Sequence, residues 1–309
     1  MKYEPKITII IASFFFIAQL VGIAILYHDI RVVQTVIPSG EVVQGIEHPE
    51  TVMGERPQLY GFEAVFFVMV SVAIGTGLIL LLVKFRIWKA WKLLFFIAVF
   101  SSISIALGVF IDPYIAIAIA FILAVLKIFR PDPLTHNLSE VFMYAGIVVL
   151  FTPLFDVFWM ALLLIIISIY DYVAVYRTKH MVTMAKGLME TKLFAGFFLP
   201  LGNKSKQKPK IKTNHEQTQA VVKKSNIAVI GGGDIAFPML FAGVVLEYLI
   251  TTLQIAKETA LIKIFPIPIF ATLALIFLLM KGKKGQFYPA MPFLTAGVFA
   301  GLGVTLLLL

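Results

Sequence analysis

The chain has 309 residues, of which 60% are hydrophobic and only 14% are charged, and its mean hydropathy is +0.95. A soluble globular domain carries about 25% charged residues, so this composition excludes a soluble protein and indicates a polytopic membrane protein. The net charge is +9, and the absence of cysteine excludes disulfides, thiolate metal sites and a cysteine nucleophile.

Nine apolar runs approach the length of about 20 residues that a transmembrane helix needs. They cover residues 7–27, 61–83, 93–111, 113–129, 140–155, 157–176, 226–249, 262–280 and 289–309. Asp112 and Pro113 alone separate the third run from the fourth, and Asp156 alone separates the fifth from the sixth, which predicts two tight helical hairpins. The predicted fold class is therefore an all-α polytopic membrane protein with nine transmembrane helices.

The basic residues fall mainly on one side of these helices. With the N-terminus in the cytoplasm, 22 of the 26 Lys and Arg residues belong to cytoplasmic segments. The other four are Arg31, Arg56, Lys257 and Lys263. Because cytoplasmic loops carry such an excess, the sequence predicts a cytoplasmic N-terminus and a C-terminus outside.

The chain is predicted to divide into three parts. Residues 1–176 form a six-helix part, residues 177–225 a cytoplasmic loop, and residues 226–309 a three-helix part. In the loop, apolar residues at near-helical spacing up to residue 200 predict an interfacial helix. The lysine-rich remainder is predicted to be disordered and to contact anionic lipid. It lacks interleaved aromatic residues, so no nucleic-acid partner is expected.

Only two acidic residues lie well inside a predicted helix. Asp171 is roughly 9 Å from the cytoplasmic end of helix six, and Asp234 is roughly 12 Å from the same side of helix seven. An intramembrane carboxylate is costly and marks a functional site by default. The similar depths predict that the two carboxyl groups share one proton in a wet cavity. In an aspartic protease, one carboxylate of such a pair takes a proton from water and the other protonates the substrate carbonyl.

The neighbours of Asp234 favour a loosened, hydrated turn. Three glycines, 231–233, remove the side chains beside it, and Pro238 lacks the amide hydrogen that would bond its carbonyl. Pro289 and Pro292 similarly free backbone groups at the start of the last helix, where an unwound substrate strand could pair.

Three short segments resemble, in order and helix assignment, the YD, GxGD and PAL motifs of the presenilin and signal peptide peptidase family of GxGD intramembrane aspartyl proteases, archaeal presenilin-like branch. They are Tyr170-Asp171 in helix six, Gly231-Gly232-Gly233-Asp234 in helix seven, and Pro289-Ala290-Met291-Pro292 at the start of helix nine. Met291 departs from the family's leucine, which affects the detail of substrate fit more than the assignment.

The resemblance implies a function and a set of site residues. Asp171 and Asp234 are expected to be catalytic, with no cofactor and no metal. The expected substrate-binding residues are Tyr170, Gly231, Gly233, Pro289, Ala290, Met291 and Pro292. The expected substrates are transmembrane or signal-peptide-like segments, and the expected location is the cell membrane of a prokaryote. Partner subunits and homo-oligomerisation are left open.

Three alternatives remain at this stage. Either aspartate taken singly could be an interhelical hydrogen-bonding residue, and Tyr170 could simply pack between helices. The rival function is a proton- or cation-coupled transporter or leak channel that uses the paired carboxylates. A transporter is less favoured because the sequence shows no basic residue at the same depth and no inverted repeat.

Overall fold

A computed structural model of the chain describes residues 5–36, 42–130, 132–178, 195–200, 227–282 and 288–309. The helices of these residues are α1 (Pro5–Asp29), α2 (Phe62–Phe85), α3 (Trp88–Gly108), α4 (Pro113–Phe129), α5 (Pro133–Phe151), α6 (Val157–Tyr176), α7 (Gly232–Thr251), α8 (Lys257–Lys263), α9 (Pro266–Lys281) and α10 (Met291–Leu307). The strands are β1 (Arg31–Val36), β2 (Val42–Glu47), β3 (Gly196–Pro200) and β4 (Ile227–Gly231).

Most of these helices are apolar enough to cross a bilayer. Seven segments of the described chain have the required length, namely Ile7–Asp29, Phe62–Leu82, Trp88–Gly108, Pro133–Leu154, Val157–Tyr176, Gly232–Thr251 and Lys257–Lys281. Two more apolar helices, α4 and α10, have 17 residues each. The helical, multi-pass membrane architecture predicted from composition is confirmed.

The two predicted helix boundaries at aspartates are confirmed. Asp112 caps α4, because its Oδ1 accepts the backbone N–H of Tyr114 at 2.9 Å, and Pro113 follows as the first helical residue. Asp156 caps α6 by accepting the N–H of Trp159 at 2.8 Å. An aspartate at this position satisfies one of the amide groups that a helix start leaves unpaired.

The predicted start of the seventh span at residue 226 is wrong. Residues 227–231 form β4, which pairs antiparallel with β3 in a register that places Gly196 opposite Gly231, and the helix begins only at Gly232. Consecutive glycines disfavour a helix, whereas the preceding Ile-Ala-Val-Ile suits a strand. The sequence could not reveal β4 because its partner strand lies about 30 residues upstream in the sequence.

The predicted interfacial helix is wrong over Gly196–Pro200, which is strand β3. The other residues of that predicted helix lie outside the described part of the chain, apart from residues 178 and 195. The lysine-rich stretch also lies outside it.

A β-hairpin that was not predicted occupies the loop after α1. Strands β1 and β2 pair antiparallel from Arg31 opposite Glu47 to Val36 opposite Val42. The side-chain amide of Gln254, which follows α7, exchanges two hydrogen bonds with the backbone of Gln44, at 2.6 and 3.1 Å. The hairpin is therefore fastened to the end of α7.

A cluster of ion pairs reinforces this attachment. Asp29, at the end of α1, accepts two hydrogen bonds from Nη2 of Arg56, at 2.9 and 2.7 Å. His48 Nδ1 lies 2.9 Å from Asp29 Oδ2, and its Nε2 lies 3.1 Å from Glu247 Oε1 on α7. His48 thus joins α1, the segment after β2, and α7.

His48 is expected to make the stability of the protein depend on pH. Burial alone lowers the pKa of His48, but the neighbouring carboxylates of Asp29 and Glu247 outweigh burial and raise the pKa from 6.5 to about 9. The stabilisation is therefore complete below pH 6.5 and is lost as the pH rises through about 9. The pKa shift of His48 corresponds to about 3 kcal/mol of stabilisation.

The measurement is the Tm in detergent between pH 6 and pH 10. We expect His48→Gln to lower the Tm at pH 6 and to have nearly the parent Tm at pH 10. The control is His28→Gln, because His28 is exposed, and its Tm should equal that of the parent at every pH. An equal effect of His48→Gln at both pH values would contradict the charged state of His48.

The centre of the bundle is α7. In the most apolar 18-residue stretch of α7, 67% of the residues are buried, whereas only 11% are buried in the corresponding stretch of Phe62–Leu82 in α2. Helix α5 packs against α1, α3 and α7. A Cβ at Gly146 would lie 1.8 Å from the carbonyl oxygen of Ser102, so glycine permits the close contact between α3 and α5. Helices α5 and α7 are therefore the supports on which the site is built.

Candidate active site

The first candidate catalytic residue, Asp171, lies in the last two turns of α6 and is 7% exposed. Its Oδ2 accepts the backbone N–H of Met291 at 3.1 Å. Met291 is the first residue of α10, where the helix itself provides no acceptor for the amide. The structure thus joins the aspartate of the Tyr-Asp pair directly to the Pro-Ala-Met-Pro turn.

A second polar contact lies one turn away from this bond. Ser168 on α6 and Thr295 on α10 bring their hydroxyl oxygens to 2.8 Å. Such hydrogen bonds between apolar helices are well suited to fixing their relative position. The two contacts hold α6 and α10 in one register along their shared face.

The second candidate, Asp234, lies in the first turn of α7. Gly231 precedes the helix with an extended backbone, and a Cβ at residue 231 would lie only 3.2 Å from Asp234 Oδ2. The carboxyl group therefore folds back over Gly231. A Cβ at Gly232 would lie 2.6 Å from Tyr144 Oη, whereas one at Gly233 would meet nothing closer than 3.6 Å. Within the described residues, packing requires glycine more strongly at 232 than at 233.

The predicted depth of Asp234 inside a regular helix is wrong, because β4 replaces the first turns of that helix. Asp234 nevertheless lies in a helix, Gly232–Thr251, that is long and apolar enough to cross a membrane. At the start of a helix the backbone N–H groups are unpaired, so a carboxyl group finds hydrogen-bond donors there. Helices α6, α7 and α10 pack against one another, and the three motif segments lie near the end of α6 and at the starts of α7 and α10.

The turn after Asp234 is supported from α1. Pro238 is buried inside α7 and offers no amide hydrogen to the Asp234 carbonyl. The next carbonyl, of Ile235, accepts a hydrogen bond of 2.8 Å from Nε2 of Gln19, which is fully buried. The sequence pattern does not single out Gln19, although it is the only side-chain amide in α1.

The remaining predicted site residues lie close by. The half-buried Tyr170 places its hydroxyl 3.0 Å from Thr76 Oγ1 on α2, so it links α6 to α2. Pro289 is buried and Pro292 is half-buried at the start of α10. Ala290 is half-buried, and Met291 is 3% exposed.

Two charged residues that the sequence assigned to the ends of spans are in fact buried. Lys127 on α4 is 1% exposed, and Glu140 on α5 is fully buried. They form an ion pair with each other. Lys127 therefore does not belong among the basic residues of the cytoplasmic surface, although the bias of the others is unchanged. The spacing of Glu140 from His136 and Tyr144, one helical turn on either side, was a signal that could have been used.

The fold and the site define the class of protein. A bundle of apolar helices that holds one aspartate against a proline-containing turn, and a second at a glycine-bounded helix start on a packed neighbour, is a membrane protein with an aspartyl-protease type of site. Residues 41–309 match the family described as signal-peptide peptidase, presenilin aspartyl protease. The chain belongs to this family, and it is an intramembrane aspartyl protease.

Solved structures show the same fold. Two structures are each described as a presenilin family intramembrane aspartate protease, one in a P2 and one in a C222 space group. The first is 17% identical with a TM-score of 0.54, over 96% of each chain. The second is 16% identical with a TM-score of 0.54, over 97% of this chain and 96% of the other. No curated protein matches the sequence.

Proposed function

We propose that Asp171 and Asp234 are the catalytic pair of this protease and that its substrates are transmembrane or signal-peptide-like helices. The observation that carries the proposal is the hydrogen bond from the Met291 amide to Asp171. It fixes a buried carboxyl group on α6 beside the turn that precedes α10. Asp234 lies on α7, which packs against both helices.

The proposed reaction uses the pair with one proton between its two carboxyl groups. The ionised carboxylate takes a proton from water as the water oxygen attacks the peptide carbonyl carbon, while the protonated carboxyl group gives its proton to the carbonyl oxygen. The amide nitrogen of the resulting diol then takes a proton from the pair, the C–N bond breaks, and the diol hydroxyl returns a proton. The products are a new carboxyl group and a new amine, and the pair again holds one proton.

The proposed substrate-binding residues surround this pair. A transmembrane helix hides its peptide bonds behind its own hydrogen bonds, so the substrate must unwind before attack. The glycines Gly231 and Gly233 offer backbone without side chains, and the prolines of the turn from Pro289 to Pro292 leave carbonyl groups without a helical amide partner. We include Tyr170 as a residue that lines the substrate side of α6.

The finer topology is also a proposal. It has nine transmembrane helices, with α4 and α10 as the two short ones, a cytoplasmic N-terminus and a C-terminus outside. Residues 1–176 carry Asp171, residues 226–309 carry Asp234, and residues 177–225 form a cytoplasmic loop whose lysine-rich stretch contacts anionic lipid. The proposed location is the cell membrane of a prokaryote.

We expect reporter fusions to reproduce this topology. The large excess of basic residues on one side is the reason, because it retains those segments in the cytoplasm. A fusion within residues 28–60 and one after Leu309 should report the outer side, and a fusion within residues 200–220 should report the cytoplasm. If the fusion within residues 28–60 and the one after Leu309 report opposite sides, the number of crossings between them is odd, and nine crossings in total is wrong.

The activity itself is tested with detergent-purified protein and a labelled transmembrane peptide. We expect cleavage that an aspartyl-protease transition-state inhibitor blocks. Intact peptide after prolonged incubation with well-folded protein would overturn the proposed substrate class. A coupled transporter or leak channel would also leave the peptide intact.

A further inference from the structure

A fully buried group of polar side chains lies between α4, α5 and β3, and the proposed reaction does not use it. We name Lys127, His136, Glu140 and Tyr144 the Glu140 cluster. Lys127 Nζ pairs with Oε1 of Glu140, and the hydroxyl of Tyr144 donates to Oε2. Taking an ion pair out of water carries a large desolvation cost, so such a pair is weak support for stability and calls for another role.

The cluster holds the backbone of one residue of β3, Gly196, from both sides. The amide of Gly196 donates to Glu140 Oε2 at 3.0 Å, and its carbonyl oxygen lies 2.9 Å from His136 Nε2. A carbonyl oxygen only accepts hydrogen bonds, so Nε2 of His136 carries the proton. Gly196 also has a φ of +147°, a backbone conformation that favours glycine. Two side chains on one face of α5 therefore hydrogen-bond to both the amide and the carbonyl group of Gly196, and the φ angle of this residue disfavours any replacement.

The strand that carries Gly196 pairs with β4, the strand that directly precedes the helix of Asp234. Gly196 lies opposite Gly231 in the β3–β4 sheet, and the amide of Gly232 donates to the carbonyl of Ala195 at 3.2 Å. Tyr144 approaches from the other side, since its Oη would lie 2.6 Å from a Cβ at residue 232. The residues immediately before Asp234 are thus fixed by β3 and by Tyr144, and both of these are hydrogen-bonded to Glu140.

We infer that the Glu140 cluster positions Asp234 for catalysis, with Glu140 acting through Gly196 and Tyr144 as a positioning residue. This inference rests on the proposed catalytic role of Asp234. Glu140 Oε2 is the common acceptor of two donors that bracket the start of α7. Without that acceptor, β3 and Tyr144 lose their shared anchor and the carboxyl group of Asp234 shifts. A displacement of about 1 Å in a catalytic group lowers the rate by about 100-fold.

Two double variants separate positioning from the stability of the ion pair. Both contain Lys127→Met, which removes the buried ammonium. The first adds Glu140→Gln, whose amide oxygen still accepts from Tyr144 and Gly196. The second adds Glu140→Leu, which has similar volume and no acceptor. Neither variant contains an unpaired buried charge, so both are expected to fold. kcat and KM for the transmembrane peptide are measured for each, together with the Tm.

We expect the Gln variant to keep kcat within about threefold of the parent, and the Leu variant to lose at least about tenfold in kcat with KM unchanged. Equal kcat values for the two variants, or a loss confined to KM, would overturn the inference. If the Leu variant does not fold, the kcat values of His136→Gln and His136→Leu are compared instead. Only Gln of these two keeps a donor for the Gly196 carbonyl, so the Leu variant should show the lower kcat, and equal values would again overturn the inference.

The parent protein and the Asp234→Asn variant are assayed in the same series. Cleavage by the parent and its loss in Asp234→Asn support the proposed function independently of Glu140. Inactive parent protein would contradict the proposed function, whereas an active parent with indifferent Glu140 variants would contradict the positioning role alone.

Discussion

Replacing Asp171 or Asp234 by asparagine is expected to lower kcat by at least about 1,000-fold while leaving the protein folded. Asparagine almost preserves the volume of aspartate but cannot ionise, so neither the proton transfer from water nor the shared proton of the pair survives. Because the two residues act as one unit, the double variant should be hardly slower than either single variant. For the same reason, parent activity should fall at both pH extremes, where the pair is doubly protonated or doubly ionised.

The measurement is the initial rate of cleavage of a transmembrane peptide, with the Tm recorded for each variant. Asp112→Asn is the matched control, because Asp112 is exposed and asparagine caps a helix as well as aspartate does. The control should cleave at the parent rate. A well-folded Asp171→Asn or Asp234→Asn protein that cleaves at close to the parent rate would refute the assignment of the catalytic pair.

Gly232→Ala is expected to lower kcat by about 100-fold, although only one methyl group is added. The new Cβ would lie 2.6 Å from Oη and 2.9 Å from Cε1 of Tyr144. Tyr144 is 2% exposed and its hydroxyl is bonded to Glu140, so the ring cannot easily move aside. The start of α7 must shift instead, and Asp234 lies two residues further on.

This effect is measured as kcat and KM with the transmembrane peptide, and the control is Gly303→Ala on α10. A Cβ at Gly303 would meet nothing within 4 Å, so that variant should match the parent. If Gly232→Ala retained the parent kcat, Tyr144 would not restrain the start of α7. That result would also remove one of the two links between Glu140 and Asp234.

The sequence predicted those features that local chemistry determines. Asp112 and Asp156 are helix caps because an aspartate before an apolar run satisfies the first amides of the helix, and both boundaries are found in the structure. The apolar runs located the membrane helices, since a bilayer requires such runs wherever the chain crosses it. The contact between Asp171 and Met291 agrees with the motif resemblance, which had associated these segments without giving their geometry.

The features that the sequence did not predict all depend on partners distant along the chain. The apolar run over β4 predicts a helix, because the pairing of β4 with β3 has no local signal in the sequence. The sequence predicts that Glu140 faces water, because it is the first residue of the apolar run 140–155. No residue near it in the sequence indicates that Lys127 reaches it from another helix. The role of Gln19 is not predictable from the sequence, because an amide in an apolar helix becomes informative only when its acceptor on α7 is known.

The shortness of α10 has a consequence for the lipid around the site. Its 17 residues span about 26 Å at 1.5 Å per residue, less than the roughly 30 Å hydrocarbon thickness of a typical bilayer. As a membrane-crossing helix, α10 must make the bilayer thinner at its side, or must draw the non-helical residues before Met291 down among the acyl chains. In the first case the polar headgroups and their water come closer to Asp171 than they do to the middle of the longer helices. Lipids with long acyl chains oppose that thinning and lipids with short chains relieve it, so the thickness of the surrounding bilayer sets how readily water reaches the aspartates.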